Sequence, residues 1–336
     1  MIIPICNNMD YSMDEYVPDI FSPLVVLHFL TSLSAILLNL LVMVTIYRTT
    51  SLQTPSRLLL CSLALADLLL GLVAQPATAL FYLSAFSNWL DIFCVSWVVM
   101  TQGGYSIGAV SFMTLAAMSV DRCLAIKIKN RYKLTVTKRR TFILIVVVWV
   151  FTATSMNTGL LFFNSKQRQY NTFIVSFILL LVISVSFSLA YCSLKKISVR
   201  MSQASQIRTT ANKVGPMQDA SPCQRQTTLE HSVREPDPSK RAQSSSPFNV
   251  NKYKKSLNTM LMILLLNLVV YLPLLCFSIA EVMVSIPRQH SIVYFQYNGM
   301  LMAFNSTLNP IFYLWRMKDL RRALKALLTR RTATNE

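Results

Sequence analysis

The sequence predicts an all-α membrane protein, a seven-transmembrane helix bundle followed by a short amphipathic interfacial helix. Three observations predict it. Hydrophobic residues make up 53% of the chain and charged residues only 14%, with 7 glycines in 336 residues; this is too apolar for an ordinary soluble domain and too poor in glycine for a loop-rich one. Apolar stretches of about 20 residues, long enough to cross the hydrocarbon layer, recur along the chain. Near the C-terminus, Asn305-Ser306-Thr307-Leu308-Asn309-Pro310-Ile311-Phe312-Tyr313 reads as a proline-broken apolar helix, and the basic run Arg316-Met317-Lys318-Asp319-Leu320-Arg321-Arg322 follows it directly. Proline removes a backbone hydrogen bond that lipid cannot replace, so Asn309-Pro310 marks a wet, deformable joint inside a span.

Residues 1–23 carry Asp10, Asp14, Glu15 and Asp19 without a basic leader region, so they are expected to form an extracellular tail, with span one directing insertion. The spans follow at about 24–47, 58–81, 92–126, 142–163, 173–194, 257–285 and 293–315. A short loop, Asn164 to Asn171, joins spans four and five. Residues 199–251 are rich in Ser, Gln and Pro and nearly lack aromatics, the composition of a disordered loop. After span seven, Leu320, Ala323, Leu324 and Leu327 recur at helical spacing opposite Lys318, Arg321, Arg322 and Lys325, which predicts an amphipathic helix on the membrane surface within 316–336. The membrane domain is thus 24–315. No internal repeat is visible, unlike the duplicated halves of many transporters.

Orientation follows from charge, because cytoplasmic loops retain Lys and Arg. Nearly all of the 32 Lys and Arg residues fall after spans one, three, five and seven; Lys166, Arg168 and Arg288 lie on the other side, and Arg122 at a helix end. The N-terminus is therefore expected outside and the C-terminus in the cytoplasm. The net charge of +18 lies beside the membrane on one face, so it reads as topology and attraction to anionic lipid, with no nucleic-acid partner. Seven cysteines show no metal-ligand or redox spacing, and Cys61, Cys123, Cys192 and Cys276 fall in or beside apolar spans as packing residues. Only Cys6 and Cys94 are expected on the oxidising side.

Polar residues inside the spans carry the chemistry. A carboxylate at mid-membrane costs about 2.5–3.5 kcal/mol on insertion scales and persists where it faces a partner or a wet cavity. Asp67 is such a residue, with Asn39, Ser111, Asn305, Ser306 and Asn309 available on other spans. Two readings fit: a site for a small hard cation with several waters, or a hydrogen-bonded core that fixes helix packing. At the end of span three, Asp121-Arg122-Cys123 is either an interfacial ion pair or a switch beneath the bundle.

Taken in order along the chain, these residues resemble those of a rhodopsin-like (class A) G-protein-coupled receptor. The resemblance rests on Asn39 and Val42, Leu63-Ala64-Leu65-Ala66-Asp67, Ser111, Asp121-Arg122-Cys123, Trp149, Tyr191, Pro273, and Asn305-Ser306 with Asn309-Pro310-Ile311-Phe312-Tyr313. It implies a plasma-membrane receptor that passes an extracellular ligand's signal to a heterotrimeric G protein, with arrestin and receptor kinases as further partners. It also implies that Arg122 releases Asp121 on activation, that Tyr191 and Tyr313 swing toward it, and that span six pivots at Pro273. Asp67, Ser111, Asn305, Ser306 and Asn309 would hold an allosteric sodium ion; no other cofactor is implied.

Departures from the pattern are informative. The usual Asp-Arg-Tyr ends in Cys123, Ile183 stands where span five has its proline, and the aromatic expected before Pro273 is Asn267. Tyr271 replaces the usual tryptophan two residues before that proline. The short fourth loop holds no cysteine, so the family's loop-to-span-three disulfide has no partner there; the loop and the missing proline are similar to melanocortin, cannabinoid and lysophospholipid receptors. Cys94 lies about one turn further out than the family's usual cysteine, and Cys6 on the tail is the expected partner; the alternative is two free thiols.

The ligand narrows only by exclusion. Ala303 replaces the lysine that would hold retinal, and Gly104 replaces the aspartate of amine receptors. The expected pocket contains Gln75, Gln102, Tyr105, Leu274, Leu275, Phe277, Ser278, Glu281, Gln296 and Tyr297, suited to a peptide, lipid or other small molecule. A different-class alternative is a seven-span transporter or ion-conducting protein, with Asp67 as a permeation carboxylate. Enzyme chemistry is not expected, because neither His-Glu-x-x-His nor paired intramembrane aspartates occur.

Overall fold

The computed structural model describes residues 18–87, 89–128, 131–162, 165–213 and 288–333, together with 258, 261–262, 265–266, 269–273, 276–277, 279–280 and 283–284. Regular structure among the described residues is helical throughout. Helix α1 spans Pro18–Arg48, and a 3₁₀ turn at Thr50–Leu52 leads to α2, Pro55–Leu69. Pro55 sits at the first helical position, where its missing N–H has no intrahelical partner to lose. A π turn, Leu70–Ala74, joins α2 to α3, Gln75–Phe86, and the three form span two. Span three is built in the same way from α4, Leu90–Val98, a second π turn, Val99–Gly103, and α5, Gly104–Lys127. The short α6, Tyr132–Thr135, precedes α7, Lys138–Phe162, and α8, Ser165–Lys213; α9, Arg288–Arg316, and α10, Lys318–Ala333, close the chain.

Four stretches among the described residues are long and apolar enough to cross a membrane: Pro23–Arg48, Pro55–Ser84, Asp91–Lys127 and Phe177–Ile197. They coincide with the first, second, third and fifth spans expected from the sequence. Their outward faces are apolar, with Leu30, Leu37, Leu72, Val95, Leu181 and Val185 exposed. Apolar exposure on this scale in a chain of spanning helices suits contact with lipid rather than water.

The helices meet around one main core. Val42 of α1, Leu59 and Leu63 of α2, Phe112 and Leu115 of α5, Ile183 of α8, Tyr313 of α9 and Leu320 of α10 pack into a single buried cluster. Trp149 joins α7 to α2 by donating from Nε1 to Ser62 Oγ at 3.1 Å. Close approach of α1 to span two depends on Gly71 in the first π turn. A Cβ there would meet the Ser32 carbonyl at 3.1 Å and the Ala35 and Ile36 side chains at 3.2 Å. Ser32 uses the proximity, donating from Oγ to the Gly71 carbonyl at 2.8 Å. The two π turns also touch each other, so spans two and three are irregular at the same level. A π turn inserts an extra residue into a helix and is often found at a functional site.

Two sequence expectations change. The loop expected over Asn164 to Asn171 is mostly helix, since α8 begins at Ser165; Lys166, Gln167, Arg168 and Gln169 are good helix formers with nothing to interrupt them. At its other end α8 continues through Lys213, into the stretch from 199 whose composition predicts disorder. Polar composition argues against a packed core, but an isolated helix rich in Ser, Gln and Arg can extend from an anchored span without one. The remainder of the expected disordered loop, 214–251, lies outside the described residues. By contrast α10 has the expected faces: Leu320 is fully buried and Ala323, Leu324 and Leu327 are partly buried, while Lys318, Arg321, Arg322 and Lys325 are exposed.

Candidate functional site

The buried carboxylate sits among amides. Asp67 is 1% exposed, and Asn39, Ser111, Asn305, Ser306 and Asn309 are all buried with it. Asn309 Nδ2 donates to Asp67 Oδ2 at 2.9 Å, bridging α2 and α9. Asn39 Nδ2 donates to the Ser306 carbonyl at 3.0 Å and to the Ala35 carbonyl at 2.9 Å, so α1 is pinned to α9 beside the proline. Ser111 Oγ donates to the Ile107 carbonyl and Ser306 Oγ to the Met302 carbonyl, each at 3.3 Å, and the Ser306 side chain also meets Asp67. Three acceptor oxygens at this level have no hydrogen-bond partner among the described residues: Asn39 Oδ1, Asp67 Oδ1 and Asn309 Oδ1. Acceptors left bare in a buried site are costly unless a donor or cation meets them.

At the basic end of the bundle a second polar cluster closes over Asp121. Arg122 Nε donates to Asp121 Oδ2 at 3.0 Å, and its Nη2 forms an ion pair with the same oxygen. Ser56 Oγ of α2 donates to Oδ2 at 2.8 Å, and the Tyr132 hydroxyl of α6 donates to Oδ1 at 2.5 Å. Ser56 also contacts Arg122 Nη2 and the Tyr132 hydroxyl. The carboxylate is 5% exposed and the guanidinium 16%, so the pair is shielded on the protein side. Sequence reasoning found Asp121 and Arg122 but missed Ser56 and Tyr132. Thr54-Pro55 marks a helix start that places Ser56 at the mouth of the bundle, whereas a tyrosine in a short linking helix gives no signal of its own.

Between these clusters lie the joints. Pro310 stands inside α9, and Tyr313, one turn on, is wholly buried. Tyr271 stacks on Phe112 with ring centroids 4.8 Å apart, and its hydroxyl donates to the Gly108 carbonyl at 3.5 Å. The Pro273 carbonyl accepts the Tyr294 hydroxyl. Tyr191 is not drawn into this group: it is 63% exposed on the outward side of α8.

Of the expected ligand residues that are described, Phe277 and Tyr297 line a cavity beside α9, and Gln75, Gln102, Tyr105 and Gln296 are not among its lining residues. Gln75 is buried with both amide atoms unpartnered, Gln102 and Tyr105 are partly buried along span three, Gln296 is buried, and Tyr297 is 70% exposed. Leu274, Leu275, Ser278 and Glu281 lie outside the described residues. The cavity, of about 490 Å³, lies between Pro273 and Phe277 on one side and Tyr294, Tyr297, Asn298 and Leu301 of α9 on the other. Phe277 stacks on Tyr294 at 3.7 Å. Tyr294 and Asn298 were not among the residues expected from sequence, although they lie one turn apart on the face of α9 shared with Leu301. Cys94 is disulfide-bonded, Cys61, Cys123, Cys192 and Cys276 are free thiols, and Cys6 lies outside the described residues.

Comparison with known proteins places this geometry. The family described as 7 transmembrane receptor (rhodopsin family) matches the chain over residues 38–313. The 5-hydroxytryptamine receptor 1B of Mus musculus is 33% identical over 128 residues, which are 38% of this chain and 32% of that receptor. The adenosine receptor A2b of Rattus norvegicus is 37% identical over 133 residues, 39% of this chain and 38% of its own length. The chain therefore spans about a third of the length of the curated relatives it matches.

Tyr132 tests how firmly the basic-end cluster is held. Burial and the Asp121 carboxylate push its hydroxyl from the usual 10 up to about 12. The folded value is the higher one, so the bond stabilises fully below about pH 10 and fades as pH rises through about 12. Tyr132→Phe removes a hydrogen bond to a charged group and is expected to lower stability by about 1–2 kcal/mol, by the same amount at every pH near neutrality. Thermal unfolding of the detergent-solubilised protein measures it; an unchanged melting temperature counts against the bond.

Proposed function

Because the chain belongs to the rhodopsin family of seven-transmembrane receptors, we propose that it carries the signal of an extracellular ligand across the plasma membrane to a heterotrimeric G protein. The N-terminus faces outward and the basic end faces the cytoplasm, where arrestin, receptor kinases and anionic lipid would meet it. The observation that carries the reading is the closed Asp121–Arg122 pair, held by Ser56 and Tyr132 at the basic end. A guanidinium with several donors is a permanent charge shaped for planar recognition. While Asp121 holds it, that charge is withheld; once released, it is available to a partner beneath the bundle. A conformation that binds the outer ligand better and releases Arg122 couples the two sites as a population shift. The relatives named for serotonin and adenosine are receptors for small molecules by name, but Gly104 gives an amine no counter-charge here. No observation favours transport or enzyme chemistry.

Asp67 with Ser111, Asn305, Ser306 and Asn309 would hold a sodium ion that favours the closed state. The bare oxygens on Asn39, Asp67 and Asn309 support this, because hard cations take oxygen ligands. Bound sodium would supply the positive charge that the buried carboxylate lacks. The tail would be fixed by a disulfide between Cys6 and Cys94, since the only other cysteine that is neither free nor placed, Cys223, lies in the stretch assigned to the cytoplasm.

Three outcomes are expected. In membranes at matched surface expression, nucleotide exchange on the G-protein class that the receptor activates basally should fall to the receptor-free level in Arg122→Ala; normal exchange would remove the proposed role. Replacing choline chloride with sodium chloride at constant ionic strength should raise the melting temperature of the natural protein and leave that of Asp67→Asn unmoved. An equal response in both supports packing alone. Non-reducing peptide mapping of surface protein should recover Cys6 and Cys94 linked, and their recovery as separate thiol peptides would refute the bond.

A further inference from the structure

The short helix α6 presents two unlike faces at the basic end of the bundle. Tyr132 turns inward, its hydroxyl donating to Asp121 Oδ1 at 2.5 Å. Leu134, two residues on and therefore about 200° round the helix, is 76% exposed. The element is tied at its C-terminal end, where the Val136 N–H donates to the Tyr132 carbonyl at 2.8 Å and Arg140 Nη1 of α7 donates to the Thr135 carbonyl at 2.8 Å. An inward tyrosine and an outward leucine on one tied turn move together, so whatever holds Leu134 also holds Tyr132.

Charge and position say what Leu134 meets. On the same stretch Lys127, Arg131, Lys133, Lys138, Arg139 and Arg140 are exposed, and no acidic residue occurs in residues 127–140. Asp121, just before this stretch, is engaged with Tyr132, Ser56 and Arg122. The helix also lies where lipid begins. A membrane-crossing stretch ends at Lys127, five residues before Tyr132. On the other side Lys138 opens α7, at most about 14 Å along the chain from Leu134, and the outward Phe142 and Ile143 of that helix are 60% and 51% exposed. A leucine among cations beside lipid fits a surface with an apolar layer under negative headgroups, because apolar burial and attraction to anionic lipid add. An acidic protein would meet the same cations only while bound, whereas the leaflet adjoins α6 at all times.

We propose that α6 docks on the anionic inner leaflet, with Leu134 inserted beneath the phosphates and the flanking cations on the headgroups, and that this docking keeps Tyr132 on Asp121. Anionic lipid thereby favours the closed Asp121–Arg122 pair. The proposal rests on the reading that the basic end meets anionic lipid in the cytoplasm, and it adds the residue that inserts and the contact that insertion controls.

The test uses the full-length protein in nanodiscs of phosphatidylcholine, alone or with about 30% phosphatidylserine, which place the same lipid on both faces and need no G protein. Leu134→Trp adds a fluorophore at the exposed position, and its emission is the difference from the natural protein with its 4 tryptophans. Bromine on the phosphatidylcholine chains should quench that difference by about half or more when phosphatidylserine is present, and clearly less without it. In the natural protein phosphatidylserine should raise the melting temperature by about 3 °C or more. Leu134→Ser and Tyr132→Phe should each lose at least half of that rise, the first by releasing the leaflet and the second by releasing Asp121. Leu134→Ser is a surface substitution and is expected to fold. Absence of quenching, or equal quenching in both lipids, overturns the docking and leaves an acidic protein as the partner of the cations. Quenching with a rise that Tyr132→Phe or Leu134→Ser retains in full overturns the link to Asp121. Failure of G-protein coupling, read from nucleotide exchange, leaves both results standing.

Discussion

A carboxylate buried where water cannot reach it sets the terms for the rest of the bundle. Asp67 requires donors or compensating charge at its own depth, and lipid supplies neither. The amides of α1 and α9 are therefore drawn inward, Asn309 to Asp67 itself and Asn39 to the Ser306 carbonyl. These contacts determine which faces of α1, α2 and α9 meet, and the apolar cluster of Val42, Leu63 and Tyr313 packs beside them. Small hydrophobic adjustments alone would not specify that register, because one apolar face packs on another in several ways. The close approach at Gly71 follows from the same registry, one turn beyond Asp67.

The basic-end cluster solves a different problem. Asp121 and Arg122 sit where the bundle meets water, so an isolated pair there would be worth little. Ser56 and Tyr132 alter this by placing two more donors on the carboxylate, from two different elements. The acid accepts from α2, from α6 and from Arg122 together, and its hold on the guanidinium is therefore tied to the position of those helices. Movement of either element would weaken the pair without any change in the pair itself. Arg57, next to Ser56, donates to Met317 Sδ, which extends the same inner rim to the junction of α9 and α10.

Much of this was legible in the sequence, for physical reasons that differ from place to place. Asp67 and Asn309 stand out because a polar residue in an apolar span needs an explanation, and the amphipathic face of α10 stands out because its period is helical. Ser56 and Tyr132 do not stand out: serine and tyrosine near a loop are ordinary, and only the folded chain brings them to Asp121. The π turns at Leu70–Ala74 and Val99–Gly103 are invisible for another reason, since a single extra residue leaves the apolar pattern of a wholly hydrophobic span unaltered. The misplaced start of α8 came from reading charge as loop, although Lys, Arg and Gln are helix formers wherever no packing opposes them. A ligand pocket is the feature for which the sequence carries least physical signal. Choosing its residues requires the rotation of each span, and a span apolar on every side does not reveal it.

The cavity beside span six and the main core are joined by a continuous set of contacts. Tyr294 at the cavity donates to the Pro273 carbonyl, and Tyr271, two residues before that proline, stacks on Phe112 of α5 and reaches the Gly108 carbonyl. Met302 of α9 fills the remaining space at Gly108, where an added Cβ would meet its Cε at 3.0 Å. Phe112 belongs to the same core as Tyr313, one turn past Pro310. Contiguity of this kind is not coupling, which requires an element with two arrangements that both ends can bias. The prolines supply the place for such an element. Each removes a backbone hydrogen bond from its helix, one in span six beside Tyr271 and one in α9 beside Tyr313, so both joints lie next to aromatic rings of the same core.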